Sequence, residues 1–403
     1  MNTLHLLSLN RSGLLFFYGI IGFAWSVFGY TYLLGFDAYY YALQAKEWAL
    51  TGTVLIPDPS IIHRLVGLLQ VLGVTAATAF KVWMGVSYAL FCGTYYFTIR
   101  SVNRSCGLLL TLLAVLSPSL IFICIEFPKT FLLMIVFNLL FYILTHNRHP
   151  LWLIPVGIVT MIVHKMGIVF TIVFAIGYML RQKKVIKYQK NIMIFGCIAG
   201  GIVMLLCVPQ FMLQLSRFSF NDFTPGLLSI LQHPHFPVSI KFECVTAIVL
   251  GMMMIIRIKP KKRDLLLPIA LFSTAWMPAL GDEVFNIGAR FAVLMPYMML
   301  VSYALLLSQY PVKLSKQWLM LGALIGVLMI PFRLSWAYPT THEANYQSYD
   351  QLITQISQRV TPEMLIAHKN FHLYYKFQTG QDCFSFEPEK HWDTTRIWRL
   401  VVD

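Results

Sequence analysis

The chain has 403 residues, of which 58% are hydrophobic and 12% charged, and its mean hydropathy is +0.67. Soluble domains carry about 25% charged residues, so the composition excludes an ordinary soluble protein and points to a polytopic membrane protein. The formal net charge is +14, but Lys and Arg lie in short loops between apolar runs. That is the positive-inside pattern rather than one basic face with interleaved aromatics, and it excludes a nucleic-acid partner.

The apolar runs fall at 14–34, 75–99, 106–125, 130–145, 151–163, 167–180, 192–213, 240–257, 265–281, 290–309 and 317–335. A crossing needs about 20 apolar residues, so the pattern predicts about eleven transmembrane helices. The fifth and sixth runs are short, and they read either as tilted helices or as one element broken around His164-Lys165. The first run exceeds a signal-peptide core and lacks a small-x-small cleavage site, so it reads as an uncleaved anchor.

With the N-terminus in the cytoplasm, the inner loops hold Arg11, Arg100, Arg104, Arg148, the Arg181–Lys190 cluster, the Arg257–Arg263 cluster, Lys313 and Lys316. Asp264 is the one acidic residue among them, and the remaining Asp and Glu fall outside. The first outer segment, 35–74, opens on Gly35-Phe36-Asp37. Ala38 to Leu50 reads as a helix lying on the membrane, with Gln44, Lys46 and Glu47 on its polar face. Pro57 and Pro59 flank Asp58 in a turn, and a second helix begins near Ser60, carrying His63 and Arg64. Later outer turns hold Glu126 and Lys129, then His164 and Lys165, then Asp222, His233 and His235, then Asp282, Glu283 and Arg290.

After Trp336 the chain turns polar. Tyr349 to Val360 has helical spacing, and Met364–Ala367 and Ile397–Val402 read as short strands. The expected architecture is therefore an all-α polytopic membrane domain over 1–335, with interfacial helices in its first outer loop, and a small α/β extracytoplasmic domain over 336–403. The tail reads as a cap over a cavity, an acceptor platform or a passive stabilising domain. Six of the seven cysteines lie in or beside apolar runs and no CxxC pair exists, so they read as buried thiols rather than disulfides or metal ligands.

Asp37, His63, Arg64, Glu126, Lys129, His164, Lys165, Asp282, Glu283 and Arg290 come from separate loops on one face. Charges at a bilayer surface are costly unless paired or wet, and they mark function. Singly, Asp37 reads as a helix N-cap, and Lys129, His63 and Glu283 as snorkelling or capping residues. As a set they read as a cavity in which a carboxylate deprotonates an acceptor hydroxyl and cations hold a phosphate. A polyprenyl-phosphate sugar, with its phosphate at the surface and its tail in the bilayer, suits both tasks.

These residues also carry a family resemblance. An early Asp-led loop, two interfacial helices and Pro57-x-Pro59 resemble the GT-C-type integral membrane glycosyltransferases, nearest to their ArnT-like and protein-mannosyltransferase branch. Phe36-Asp37-Ala38-Tyr39-Tyr40 is similar to that family's Asp-Glu-x-x-Tyr start, and Asp37 matches its catalytic base. Val163-His164-Lys165-Met166-Gly167 resembles its Thr-Lys-Gly element, and Ser117-Pro118 with Glu126-x-Pro128 resembles its third-span ending. Asp282-Glu283 with Arg290-Phe291 lies where the family has a basic-aromatic pair near the donor phosphate. The resemblance spans 14–335. Ala38 stands where the family has a second acidic residue, so a divalent metal stays open as a cofactor and no metal ligands are read from the residues.

The resemblance implies an inverting glycosyltransferase on the periplasmic face of a bacterial inner membrane. It would transfer a hexosyl or pentosyl group from a polyprenyl-phosphate donor to a lipid or glycan acceptor. The expected roles are Asp37 as base, Lys165, Arg290 and Arg64 at the donor phosphate, and Glu126, His164, Asp282 and Glu283 lining the cavity. Two other classes fit a polytopic chain: a secondary transporter or flippase, and an O-antigen-type polymerase. The first places charges near the midplane with inverted repeats, whereas these charges lie at one surface and no repeat is visible. The second has arginine-rich late outer loops, whereas 214–239 holds only Arg217.

Overall fold

The computed structural model describes residues 30–55, 60–102, 110–146, 152–164, 226–232, 236–261, 292–310, 341–357, 366–381 and 384–386, apart from 36, 112 and 116, with scattered positions at 20–29, 265 and 269. The described chain is mostly helical. Its helices are α1 (Ala38–Thr51), α2 (Ile62–Val71), α3 (Ala76–Val102), α4 (Pro118–Glu126), α5 (Pro128–Thr145), α6 (Leu153–Val163), α7 (Gly226–Gln232), α8 (Val238–Ile258), α9 (Met295–Gln309), α10 (Thr341–Ser357) and α11 (Lys369–Thr379). Two short strands, β1 (Ile366–His368) and β2 (Phe384–Phe386), flank α11. The expected apolar runs at 167–180, 192–213 and 317–335, most of 265–281, and ten residues of 14–34 lie outside the described residues.

The chain divides into two compact units. The first, the helical unit, comprises Met1–Gly29, Pro59–Ile61 and Val82–Pro339. The second, the loop-and-tail unit, comprises Tyr30–Asp58, Ile62–Lys81 and Thr340–Asp403.

In the helical unit, the run expected at 106–125 is interrupted. Pro118 has no N–H, so the helical ladder stops at Ser117 and restarts as α4. Ser117 caps the restart by accepting from the Leu120 N–H at 3.1 Å. A continuous helix would have paired the Ser119 N–H with the Val115 carbonyl. Instead Ser119 N donates to Glu243 Oε2 of α8 at 2.8 Å, and the Tyr88 hydroxyl of α3 donates to Val115 O. Both groups freed by the break thus find side-chain partners on neighbouring helices, which removes the cost of burying them unpaired. The chain turns again at Phe127. Among the described residues no single helix is long and apolar enough to cross a membrane alone, but α4 and α5 as far as Ile143 pass together as a pair bent by 120°.

Helix α8 has two different faces. Phe242, Val245, Val249, Met252, Met253 and Ile256 recur at helical spacing and are exposed, Phe242 at 71%. A stripe of this kind belongs in an apolar medium. The opposite face is made of small residues: Cys244, Ala247 and Gly251. Tyr303 of α9 donates its hydroxyl to Ala247 O, and Cys244 Sγ approaches Ala292 O at 3.7 Å. Small residues let helices come close in this way. A buried polar network ties three further elements. Tyr297 of α9 donates to Asn138 Oδ1 of α5 at 2.6 Å, and Asn138 Nδ2 donates to Thr94 Oγ1 of α3 at 2.9 Å.

In the loop-and-tail unit, α1 covers the expected interfacial helix and ends at Gly52, whose φ of 75° is the left-handed stop that glycine adopts without strain. Helix α2 starts two residues after Ser60, near the expected point. It packs along α1. His63 is fully buried and stacks on Tyr41 at 5.6 Å, and Tyr41 stacks on Phe80 at 6.1 Å. Further along, Gly67 faces Ala45 and Trp48. A Cβ at 67 would lie 2.4 Å from Trp48 Cε3 and 3.0 Å from Ala45 O, so only glycine fits there.

The tail helix α10 begins eight residues before the expected Tyr349. Its first turns, Thr341 to Asn345, are polar and carry no apolar periodicity, so their helicity is not visible in the pattern; buried Tyr346 anchors them. Tyr349, Leu352 and Ile353 of α10 pack on Phe371 and Tyr375 of α11. Strand β1 overlaps the expected Met364–Ala367, but it pairs in parallel with β2, Ile366 opposite Phe384. That partner was not expected, and the anticipated strand Ile397–Val402 lies outside the described residues. A parallel pair requires a crossover, and α11 supplies it.

Candidate functional site

The site is built from the segment Tyr30–Asp37 that leads into α1. Gly35 adopts φ 107°, a region that side chains strain to enter, and this turn aims Asp37 at the start of the helix. Asp37 occupies the N-cap position with φ −93° and ψ 4°. Its backbone carbonyl accepts from the Tyr41 N–H at 3.1 Å, but its side chain makes no capping hydrogen bond. The half-buried carboxylate is therefore not spent on its own helix.

The approach to Asp37 is held at several points. Lys81 Nζ donates to Tyr30 O at 2.5 Å, and the Leu33 N–H donates to the Tyr39 hydroxyl at 3.2 Å. From the tail, Asp350 of α10 receives two phenols. Tyr32 donates to Oδ2 at 2.5 Å, and Tyr374 of α11 donates to Oδ1. Gln378 Nε2 then donates to the Tyr374 oxygen at 2.9 Å. Around this carboxylate the rings form a wall: Tyr346 stacks on Tyr32 at 5.5 Å, and Tyr39 meets Tyr374 edge-on at 4.8 Å and Phe377 at 5.1 Å. Edge and offset contacts of this kind add to simple burial.

Burial pushes the phenols of Tyr39, Tyr374 and Tyr349 up from their ordinary value, and for Tyr374 the bond to Asp350 adds to the effect. The Tyr374 hydroxyl therefore stays protonated well past neutrality, as a donor to a carboxylate requires.

The expected site residues are distributed as follows. Asp37 and Arg64 belong to the loop-and-tail unit, Arg64 exposed on α2. Glu126, the last residue of α4, and His164, which follows α6 with extended backbone, are both buried in the helical unit. Lys165, Asp282, Glu283 and Arg290 lie outside the described residues. Among the described residues no group of three His, Cys, Asp or Glu side chains is placed to hold a metal ion.

No family model and no curated protein matches the chain. Solved structures do. The apo crystal structure of ArnT from Cupriavidus metallidurans matches with a TM-score of 0.56 at 15% identity, covering 95% of this chain and 86% of that one. The chain has the ArnT-like GT-C fold. A second structure of the same ArnT, bound to undecaprenyl phosphate, matches with a TM-score of 0.52 at 13% identity over 98% of this chain and 87% of that one. The likeness is one of fold, a helical polytopic membrane fold, and it extends over nearly the whole chain.

Within this ArnT-like fold two carboxylates hold positions that the pattern analysis passed over. Glu243 sits inside an apolar run, where a lone acid is itself a signal. Asp350 follows Tyr346 and Tyr349 at helical spacing, so an aromatic face with an acid on it was present in the tail sequence. That signal was masked by the apolar series Leu352, Ile353, Ile356 and Val360.

Proposed function

We propose that the protein is an inverting glycosyltransferase of the bacterial inner membrane. It would transfer a sugar from a polyprenyl-phosphate donor to a lipid or glycan hydroxyl on the periplasmic face. The observation that carries this reading is the start of α1, where an ArnT-like fold presents the Asp37 carboxylate uncommitted to capping. The ArnT structure with undecaprenyl phosphate supports a polyprenyl-phosphate partner for the same fold.

In this reading Asp37 takes the proton of the acceptor hydroxyl as its oxygen bonds to the sugar's anomeric carbon from the face opposite the phosphate. The bond from that carbon to the phosphate oxygen breaks, the electron pair leaves on the polyprenyl phosphate, and the anomeric configuration inverts. Lys165, Arg290 and Arg64 would neutralise the phosphate through charge-assisted hydrogen bonds. Glu126, His164, Asp282 and Glu283 would line the cavity. The domain division that accompanies the reading is a catalytic membrane domain over 1–335 and a periplasmic tail over 336–403.

The test is Asp37→Asn, which keeps the size of the side chain but cannot accept the proton. Positioned proton removal is typically worth 10²–10⁴-fold, so turnover should fall by about that factor while donor binding persists. Arg290→Ala should instead weaken donor capture. Near-normal turnover in Asp37→Asn would move the base to Glu126 or Asp282.

A further inference from the structure

The segment that delivers Asp37 is tied to other parts of its unit by side chains. At the described positions between Tyr30 and Asp37 there is no regular secondary structure, and Gly35 turns with φ 107°. A carboxylate on such a stretch reaches a hydroxyl only if something else fixes its approach, because misplacement by an ångström is costly in catalysis. Two of the fixed points lead to one residue. Tyr32, five positions before Asp37, donates to Asp350 Oδ2 at 2.5 Å. Tyr39, two positions after Asp37, holds the Leu33 N–H through its oxygen at 3.2 Å and rests edge-on against Tyr374 at 4.8 Å. Tyr374 in turn donates to Asp350 Oδ1. Asp350 therefore grips the chain on both sides of Asp37, once directly and once through a ring.

The residue type suits the task. Two hydroxyl donors need two acceptor oxygens, and a carboxylate offers both, while an amide offers one oxygen and one N–H₂. The anion also shortens and strengthens both bonds. Asp350 meets no acceptor hydroxyl in this account; it acts through Tyr32 and Tyr374.

We propose that Asp350, in the tail, is a positioning residue for Asp37, so that the tail helix α10 sets the geometry of the segment that carries the proposed base. This rests on the reading of Asp37 as that base.

The test uses the full-length protein purified in detergent and two measurements. One is amide exchange over residues 30–41, which does not depend on activity. The other is kcat and donor KM with a polyprenyl-phosphate sugar. Asp350→Ala should speed exchange over 30–41 about tenfold and lower kcat about tenfold while donor KM stays within about twofold. Asp350→Asn and Tyr32→Phe each keep one of the two bonds and should fall between this variant and the native protein. Gln355→Ala, exposed on the same helix, should match the native protein in both. If Asp350→Ala does not fold, the two single-bond variants decide alone.

Unchanged exchange over 30–41 would overturn the proposal. So would faster exchange with native kcat, since the grip would then be structural and without consequence for the reaction. If the native protein transfers no sugar from any polyprenyl-phosphate donor, the reading of function fails, and the exchange measurement alone decides whether Asp350 holds the segment.

Discussion

The two units solve the same problem, a carboxylate in a crowded interior, in opposite ways. In the helical unit Glu243 accepts from a backbone N–H that a proline-induced break has set loose, and Tyr88 takes the matching carbonyl. There, side chains repair the main chain. In the loop-and-tail unit the Asp350 carboxylate accepts from two phenols, and what it joins is side chains rather than a backbone group left by a helix break. The first arrangement stabilises a kink in place, and the second holds the segment that leads into α1. A polar group that answers a broken backbone is thus a matter of folding, whereas one that gathers side chains around a loop carries positional information.

The comparison can be broken most severely at Glu243. In Glu243→Ala the Ser119 N–H loses its acceptor at the N-terminus of α4, and hydrogen bonds to charged groups are worth about 1.5–3 kcal/mol. Thermal unfolding in detergent should show a loss near the upper end of that range, and Glu243→Gln, which still accepts, should recover most of it. Full native stability in the alanine variant would mean that the break needs no partner.

Next in size is Gly67→Ala. Its Cβ would meet Trp48 and the Ala45 carbonyl between α1 and α2, an overpacking expected to cost about 2 kcal/mol. The matched change Gly251→Ala meets the flexible end of Met299 first, at 2.3 Å, and should cost less. Tyr88→Phe should follow at about 1 kcal/mol, leaving the Val115 carbonyl without its hydroxyl.

The smallest effect is read by pH in the loop-and-tail unit. Tyr39 and Tyr374 are raised in the fold, whereas in the unfolded chain they titrate near 10.0. Their contribution is therefore fully present below about pH 10 and is lost above it, because the unfolded state then releases protons that the folded state retains. Exchange over 30–41 should stay flat from neutrality to about pH 10, after correction for the intrinsic rate, and rise beyond it. A rise beginning near pH 8 would contradict this assignment.

What could be read in the sequence was local. The helix after Asp37, read over Ala38 to Leu50, follows from its polar and aromatic faces, and the runs behind α3, α5, α6 and α8 follow from apolar length. The break at Ser117-Pro118 falls inside the run read as one span over 106–125. Its remedy could not be read, because Glu243 lies 124 residues further on and no periodicity connects the two. Helix α10 was seen from the middle onward for a related reason: its opening turns bury one aromatic ring, and a single ring makes no pattern. The early acidic loop and its place after an apolar run were enough to suggest the GT-C resemblance, since that depends on order along the chain. The neighbours of Asp37 were not legible, because they come from the other end of it.

The bond between Tyr32 and Asp350 spans 318 residues. A ribosome adding roughly 5–20 residues per second takes between about a quarter of a minute and a minute to supply the second partner after the first. Throughout that interval the newly made loop has no tail to close against. The segment around Asp37 therefore waits for α10 before it is finished, and its maturation is timed by the synthesis of that helix. A chain released early, at any point before α10, would carry the aspartate and its helix without the clamp that fixes them.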